Sequence, residues 1–243
     1  MHIIKVDAID STNSFLRNLN REKNLLKPTC VITRTQLAGK GQMGTVWQSN
    51  PGENLTCSVF MRVTGVALMD QFYISMATSL AVCDTLRDLV TPGLAIKWPN
   101  DILSDRKKLC GILIENVVKS GSLIAVIIGI GVNVNQIKFN NLPQAGSLKQ
   151  ILGKKIAVNE VLHILLDKLE ERFSELHVSN FEKLKKEYEN ILFRKDKPST
   201  FLNAKGESFV GIIKGVTNEG KLQILIEDEI ILSFDLKEIK LLY

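Results

Sequence analysis

The sequence predicts an α+β fold, with a mixed, largely antiparallel sheet, packed helices and a small C-terminal β-barrel. Three observations lead there. Strand-like runs rich in β-branched residues interleave with stretches of helical spacing along most of the chain. In the middle, two long apolar runs flank Lys119-Ser120-Gly121, a turn that pairs neighbours antiparallel. After Phe193 the helical spacing stops and only short β-like runs remain. The expected division is residues 1–193 as a main domain and 194–243 as a small β-domain.

His2 to Asp7 and Thr29 to Thr35 read as strands. Between them Asp10, Ser11 or Thr12 can cap a helix starting near Asn13, with Phe15, Leu16 and Leu19 on one face. Asn54 to Val63 is a strand, and Asp70 to Val90 has the spacing of a long helix. Leu94 to Trp98 is a strand that Pro99 ends. Lys108 to Val118 and Leu123 to Val134 are the hairpin arms, and Glu160 to Leu192 is helical with a break near Val178-Ser179-Asn180. The shift falls at Phe193 to Pro198, followed by FVGIIKGV, KLQILI and EIILSF, with Asn218-Glu219-Gly220 and Glu227-Asp228 between them.

Composition excludes several classes. Charged residues are 23% and apolar ones 45%, ordinary for a globular protein and unlike a disordered one. The longest apolar run, Leu123 to Val134, falls short of the ~18 residues a membrane helix needs. MHIIKVDAIDSTN lacks the pattern of an export signal, so a cytoplasmic location is expected. Cys30, Cys57, Cys83 and Cys110 form no C-x-x-C pair and read as reduced, mostly buried thiols. His2, His163 and His177 are not spaced as metal ligands. The net charge of +5 suits a phosphate-bearing small molecule or an acidic partner, while scattered Lys and Arg do not suggest nucleic acid.

GKGQMGTVW, Gly39 to Trp47, can fold closely around an anion. As G-x-G-x-x-G it would need a helix to follow, but TVWQSNPGENL contains Pro51-Gly52 and cannot continue as one. A kinase reading fails for want of H-R-D and D-F-G, and no G-x-x-x-x-G-K-[ST] occurs. Four other clusters each admit a purely structural reading: DSTN as a helix cap, KWPND as a turn, DRKK as an exposed turn, and GIGVN as a closely packed strand.

In this order, however, DSTN, QLAGKGQMGTVW, KWPNDI, KKLCGILIE and GIGVNVN resemble biotin protein ligase, over essentially the whole chain including the small C-terminal domain. The resemblance implies the catalytic fold shared by biotin and lipoate ligases, which is like that of class II synthetases. It also implies a two-step reaction through biotinyl-5′-AMP, with ATP and Mg²⁺ required and no tightly bound cofactor. The partner implied is a lysine-bearing biotin carboxyl carrier domain, the enzyme being a monomer or homodimer. Because the chain starts at the catalytic motifs, no DNA-binding module is expected.

By motif position, Lys108 lies beside the biotin carboxylate and α-phosphate and is the main catalytic candidate, with Lys40 second. Lys40 and the backbone of Gly39, Gly41 and Gln42 would close over the ligand, and Gly111 and Leu113 would line its path. Ser11, Thr12, Asn13 and Gln36 match the positions that satisfy the ureido head. Lys97, Asn100 and Asp101 belong near the phosphates, with Asp101 the candidate for organising Mg²⁺. Trp47 would stack near adenine and Asn133 would hydrogen-bond it. The chain departs from many relatives in carrying Lys40, Gln42 and Thr45 where arginines are common, and Leu241-Leu242-Tyr243 where some place an ATP-reaching arginine. A lipoate–protein ligase is the nearest rival, but its R-R-x-S-G-G-G-A element is absent. A non-catalytic biotin-binding module is the other alternative, against which stand Lys40, Lys97 and Lys108.

Overall fold

The structure is a computed structural model that describes residues 1–243, the side chain of Asp228 excepted. In chain order its elements are β1 (His2–Ile9), α1 (Thr12–Lys23), β2 (Thr29–Gln36), β3 (Leu55–Arg62), α2 (Phe72–Asp88), β4 (Leu94–Lys97), β5 (Asp101–Ser104), β6 (Lys107–Lys119) and β7 (Ser122–Val132). Then come α3 (Leu148–Leu152), α4 (Val158–Ser174), α5 (Phe181–Asn190), β8 (Pro198–Asn203), β9 (Ser208–Val216), β10 (Leu222–Leu225), β11 (Ile231–Phe234) and β12 (Ile239–Leu242).

The first seven strands form one sheet in the order β1-β2-β3-β7-β6-β5-β4, and only β1 and β2 run parallel. The remaining five form an antiparallel sheet, β11-β10-β9-β8-β12. The hairpin turn at Ser120 and Gly121 is where the sequence places it, with both residues at positive φ. KWPND does more than end a strand. The chain turns straight back into β5, so Lys97 and Asp101 stand opposite each other. The short strands β5, β8 and β12 and the helix α3 carry too few residues to show a period, and the sequence reading did not resolve them.

Period-2 alternation assigns each sheet residue to a face. On one face Cys57, Val59, Ile112, Ile128 and Ile130 join the main core under α2, α4 and α5. Helix α2 has buried residues all round because it lies between that face and α4 and α5, with Tyr73 stacked on Phe181 at 3.9 Å. All four cysteines are buried free thiols. On the other face α1 packs over β2, β3 and β7, through Leu16, Val31, Phe60 and Ile127. Beyond the N-terminus of α1 this face carries Thr56, Ser58, Gly111, Gly129 and Gly131, small side chains that leave a cleft. Among the described residues no helix is long and apolar enough to cross a membrane.

Candidate functional site

The cleft is a cavity of about 290 Å³ lined by the N-terminus of α1, the glycine loop and strands β3, β5, β6 and β7. The loop is a short hairpin. Gly41 N–H donates to Thr45 carbonyl at 2.7 Å and Trp47 N–H to Gly39 carbonyl at 3.0 Å. Its tip needs positive φ at Met43 and Gly44. The hairpin drops the Trp47 indole onto the sheet. A methyl group on Gly131 would lie 2.3 Å from that ring, and one on Gly111 3.0 Å, so both glycines form the floor on which the indole rests. The indole Nε1 is buried without a partner among the described residues.

At the inner end, Ser11 caps α1 by accepting from the Ser14 N–H. That cap turns Thr12 and Asn13 down to the sheet, where all three residues are buried. Gln36 Oε1 accepts from the Thr12 N–H at 2.9 Å and faces the Thr12 hydroxyl at 3.0 Å. The Ser58 hydroxyl lies 2.6 Å from Thr12 Oγ1 and also contacts Asn13 Oδ1. The Thr12 and Ser58 hydroxyls own one proton each, yet three oxygen–oxygen contacts must share them. One acceptor at this end is therefore always left for a donor from outside.

The outer end is cationic. Lys108 Nζ sits 2.6 Å from Asp101 Oδ1, and Lys97 Nζ 3.8 Å from Asp101 Oδ2. Burial pushes the Lys97 ammonium below its ordinary value, the attraction of Asp101 opposing and the nearby Lys108 and Lys240 assisting. The Tyr243 ring lies 5.1 Å from Lys97 Nζ. Lys40 reaches over the mouth to Ser14 Oγ at 3.1 Å. Among the described residues no cluster of three His, Cys, Asp or Glu could hold a metal, and both Asp101 oxygens face lysines. The donor set at Asp101 does not fit a resident metal ion, because both carboxylate oxygens are engaged by lysines.

Most of the expected residues meet here. Ser11, Thr12, Asn13, Gln36, Lys40, Gly41, Gln42, Trp47, Asn100, Asp101, Lys108, Gly111 and Leu113 all line the cavity, and Gly39, Lys97 and Asn133 do not. Gly39 is packed inside the hairpin, where a methyl group would lie 2.4 Å from Trp47 carbonyl oxygen. The Asn133 amide donates to the Lys108 carbonyl at 3.3 Å, tying the end of β7 to the start of β6. Asn100 also has a tethering bond, from its Nδ2 to the Ile112 carbonyl at 2.6 Å. The sequence reading passed over Thr56, which lines the cavity, and Ser58 and Glu115, which touch the residues that do. A signal existed for the first two: they are polar at alternate positions of an otherwise apolar strand.

The family model for the biotin/lipoate A/B protein ligase family matches residues 6–133. The bifunctional ligase/repressor BirA of Bacillus subtilis is 31% identical over 240 residues, covering 93% of this chain and 73% of its own length. The biotin–[acetyl-CoA-carboxylase] ligase of Paracoccus denitrificans is 35% identical over 142 residues, 58% of this chain and 55% of its own. Among solved structures, a point variant of the Aquifex aeolicus biotin protein ligase in complex with biotin superposes with a TM-score of 0.78. It has 26% identity and covers 99% of this chain and 98% of its own. The chain belongs to the biotin/lipoate A/B protein ligase family.

Proposed function

We propose that the chain works as an ATP-dependent biotin protein ligase through the residues of this cavity. The ligase activates biotin as biotinyl-5′-AMP and then transfers it to a lysine of a biotin carboxyl carrier domain. The observation that carries the reading is the polarity of the cavity, acceptor-rich at its inner end and cationic at its outer end. A ureido ring supplies two N–H donors to the inner end. The dithiolane of lipoate supplies none and would leave buried acceptors unpaired, a loss of about 1–3 kcal/mol each. The carboxylate at the far end of biotin then lies toward Lys108.

Each residue has a task. Ser11 is free to donate its hydroxyl proton to the ureido oxygen, and the two ureido N–H groups find their acceptors among the oxygens of Thr12, Asn13 and Gln36. Trp47 covers the apolar body of the ligand. In the first step a biotin carboxylate oxygen forms a bond to the α-phosphorus, and the bond from that phosphorus to pyrophosphate breaks. Two anions about 4 Å apart repel by ~1 kcal/mol in water and ~4 at an effective dielectric near 20. Lys108, with Lys97 and Lys40 farther out, offsets that repulsion without solvent reorganising. Asp101 holds the first two ammonium groups in place. In the second step a neutral carrier lysine attacks the acyl carbon, an amide forms, AMP leaves and the amine proton passes to solvent. The lysine-bearing partner is a carrier domain and the location cytoplasmic, with residues 1–193 acting as the catalytic domain and 194–243 as the small β-domain.

Purified protein incubated with Mg-ATP, biotin and a biotin carboxyl carrier domain tests this. The carrier should gain one biotinyl group on one lysine by mass spectrometry. Transfer of lipoate and not biotin would refute the reading.

A further inference from the structure

Asn13 reaches the cavity from α1, and one of the two groups that hold its amide, Glu115, lies outside the cavity lining. Its Nδ2 has two protons, and two acceptors take them: the Leu113 carbonyl at 3.3 Å and Glu115 Oε2 at 2.9 Å. Oδ1 is thereby turned the other way, to Ser58 and over Gly129, where an added methyl group would lie 2.5 Å from it. The other carboxylate oxygen of Glu115 is held by Arg17 from the next turn of α1. An amide can turn over and exchange donor for acceptor at little steric cost, so its orientation must be set by its neighbours. A carboxylate offers only acceptors, and Arg17 offers only donors. The pair thus leaves Asn13 a single orientation.

We propose that Glu115 is a positioning residue for ureido recognition: with the Leu113 carbonyl it fixes Asn13 so that an acceptor, never a donor, faces the cavity. The inference rests on the biotin reading and deepens it. A ureido N–H meeting Asn13 Oδ1 completes the inner network, in which two hydroxyl protons serve three contacts. The same N–H meeting an inverted amide would face a donor.

Glu115→Gln tests this because it preserves shape. Arg17 would claim the Gln oxygen, leaving its NH₂ toward Asn13, and Asn13 would turn over to accept from it. Biotin affinity by calorimetry should fall at least about tenfold, the cost of one charge-assisted or buried contact. The KM for ATP and the melting temperature should stay near those of the unaltered protein. Adding Arg17→Met to Glu115→Gln should recover most of the lost affinity, because the Gln oxygen is then free to face Asn13. A contact that merely staples α1 to β6 would instead lose stability and both substrates together, and the second change would worsen it. That outcome, unchanged biotin affinity in Glu115→Gln, or no recovery in the double variant overturns the inference. Should the unaltered protein bind biotin and exchange pyrophosphate while any of these is seen, only the role of Glu115 falls. Should the unaltered protein not bind biotin, both readings fall.

Discussion

Asp101 stands between two lysines that share its charge unequally, and their chemistry should separate experimentally. Lys108 is 2.6 Å from the carboxylate and lines the cavity, whereas Lys97 is 3.8 Å away and outside its lining. Lys108→Ala should lower the rate of adenylate formation by 10²-fold or more while changing biotin affinity by less than tenfold, since its charge is needed where negative charge crowds in the transition state. Equal losses in both would assign it to ground-state binding. Burial lowers the pKa of Lys97, so its charge is lost at a lower pH than that of an ordinary lysine near 10.5. Below the folded value the buried charge costs stability, and that cost fades as pH rises toward the ordinary value. The KM for ATP should accordingly rise on the alkaline side earlier than a normal lysine would dictate. In Lys97→Arg the rise should disappear, because guanidinium stays charged, and a pH profile of both proteins checks it.

The glycine hairpin and strands β6 and β7 act as one device: the hairpin delivers an indole and the strands supply a floor without side chains. Gly131→Ala places a methyl group 2.3 Å from the ring, so Trp47 must move. Overpacking of this kind costs about 1–3 kcal/mol, and biotin affinity should drop roughly tenfold or more. A shift in tryptophan emission should accompany the loss, Trp98 being the only other contributor. Unchanged emission and affinity would mean that the indole does not close the site. Elements of this device were legible unequally. The long strands and α1 showed their periods, and the cap was narrowed to Asp10, Ser11 or Thr12, of which the helix uses Ser11. The hairpin within residues 39–47 was not legible, because loop residues obey turn geometry and carry no period. Nor were the tethers of Asn100 and Asn133, since one sequence cannot distinguish an amide that binds ligand from one that binds backbone.

Across the whole molecule the two sheets meet beside the lysines. Trp98 Nε1 donates to the Gly220 carbonyl at 2.8 Å, and the Phe72 ring packs on the same glycine. Gly220 has φ 92°, and a methyl group there would lie 2.3 Å from that ring. Gly220→Ala should destabilise by roughly 1–3 kcal/mol, lowering the melting temperature by about 2–4 °C for each kcal/mol. An unchanged melting curve would show that this turn does not hold the sheets together. The composition change at Phe193 to Pro198 revealed the second sheet, but not that its Gly220 turn would seat against Trp98 and Phe72, a contact between residues far apart in sequence. In the proposed reaction one cavity binds the ureido ring at its acceptor end and carries out adenylation at its cationic end. Isotope exchange between pyrophosphate and ATP, with biotin, lipoate or neither, is the decisive measurement. Exchange should depend on biotin, fall by 10²-fold or more in Lys108→Ala, and be absent with lipoate. Exchange without biotin, or supported by lipoate alone, would contradict this reaction.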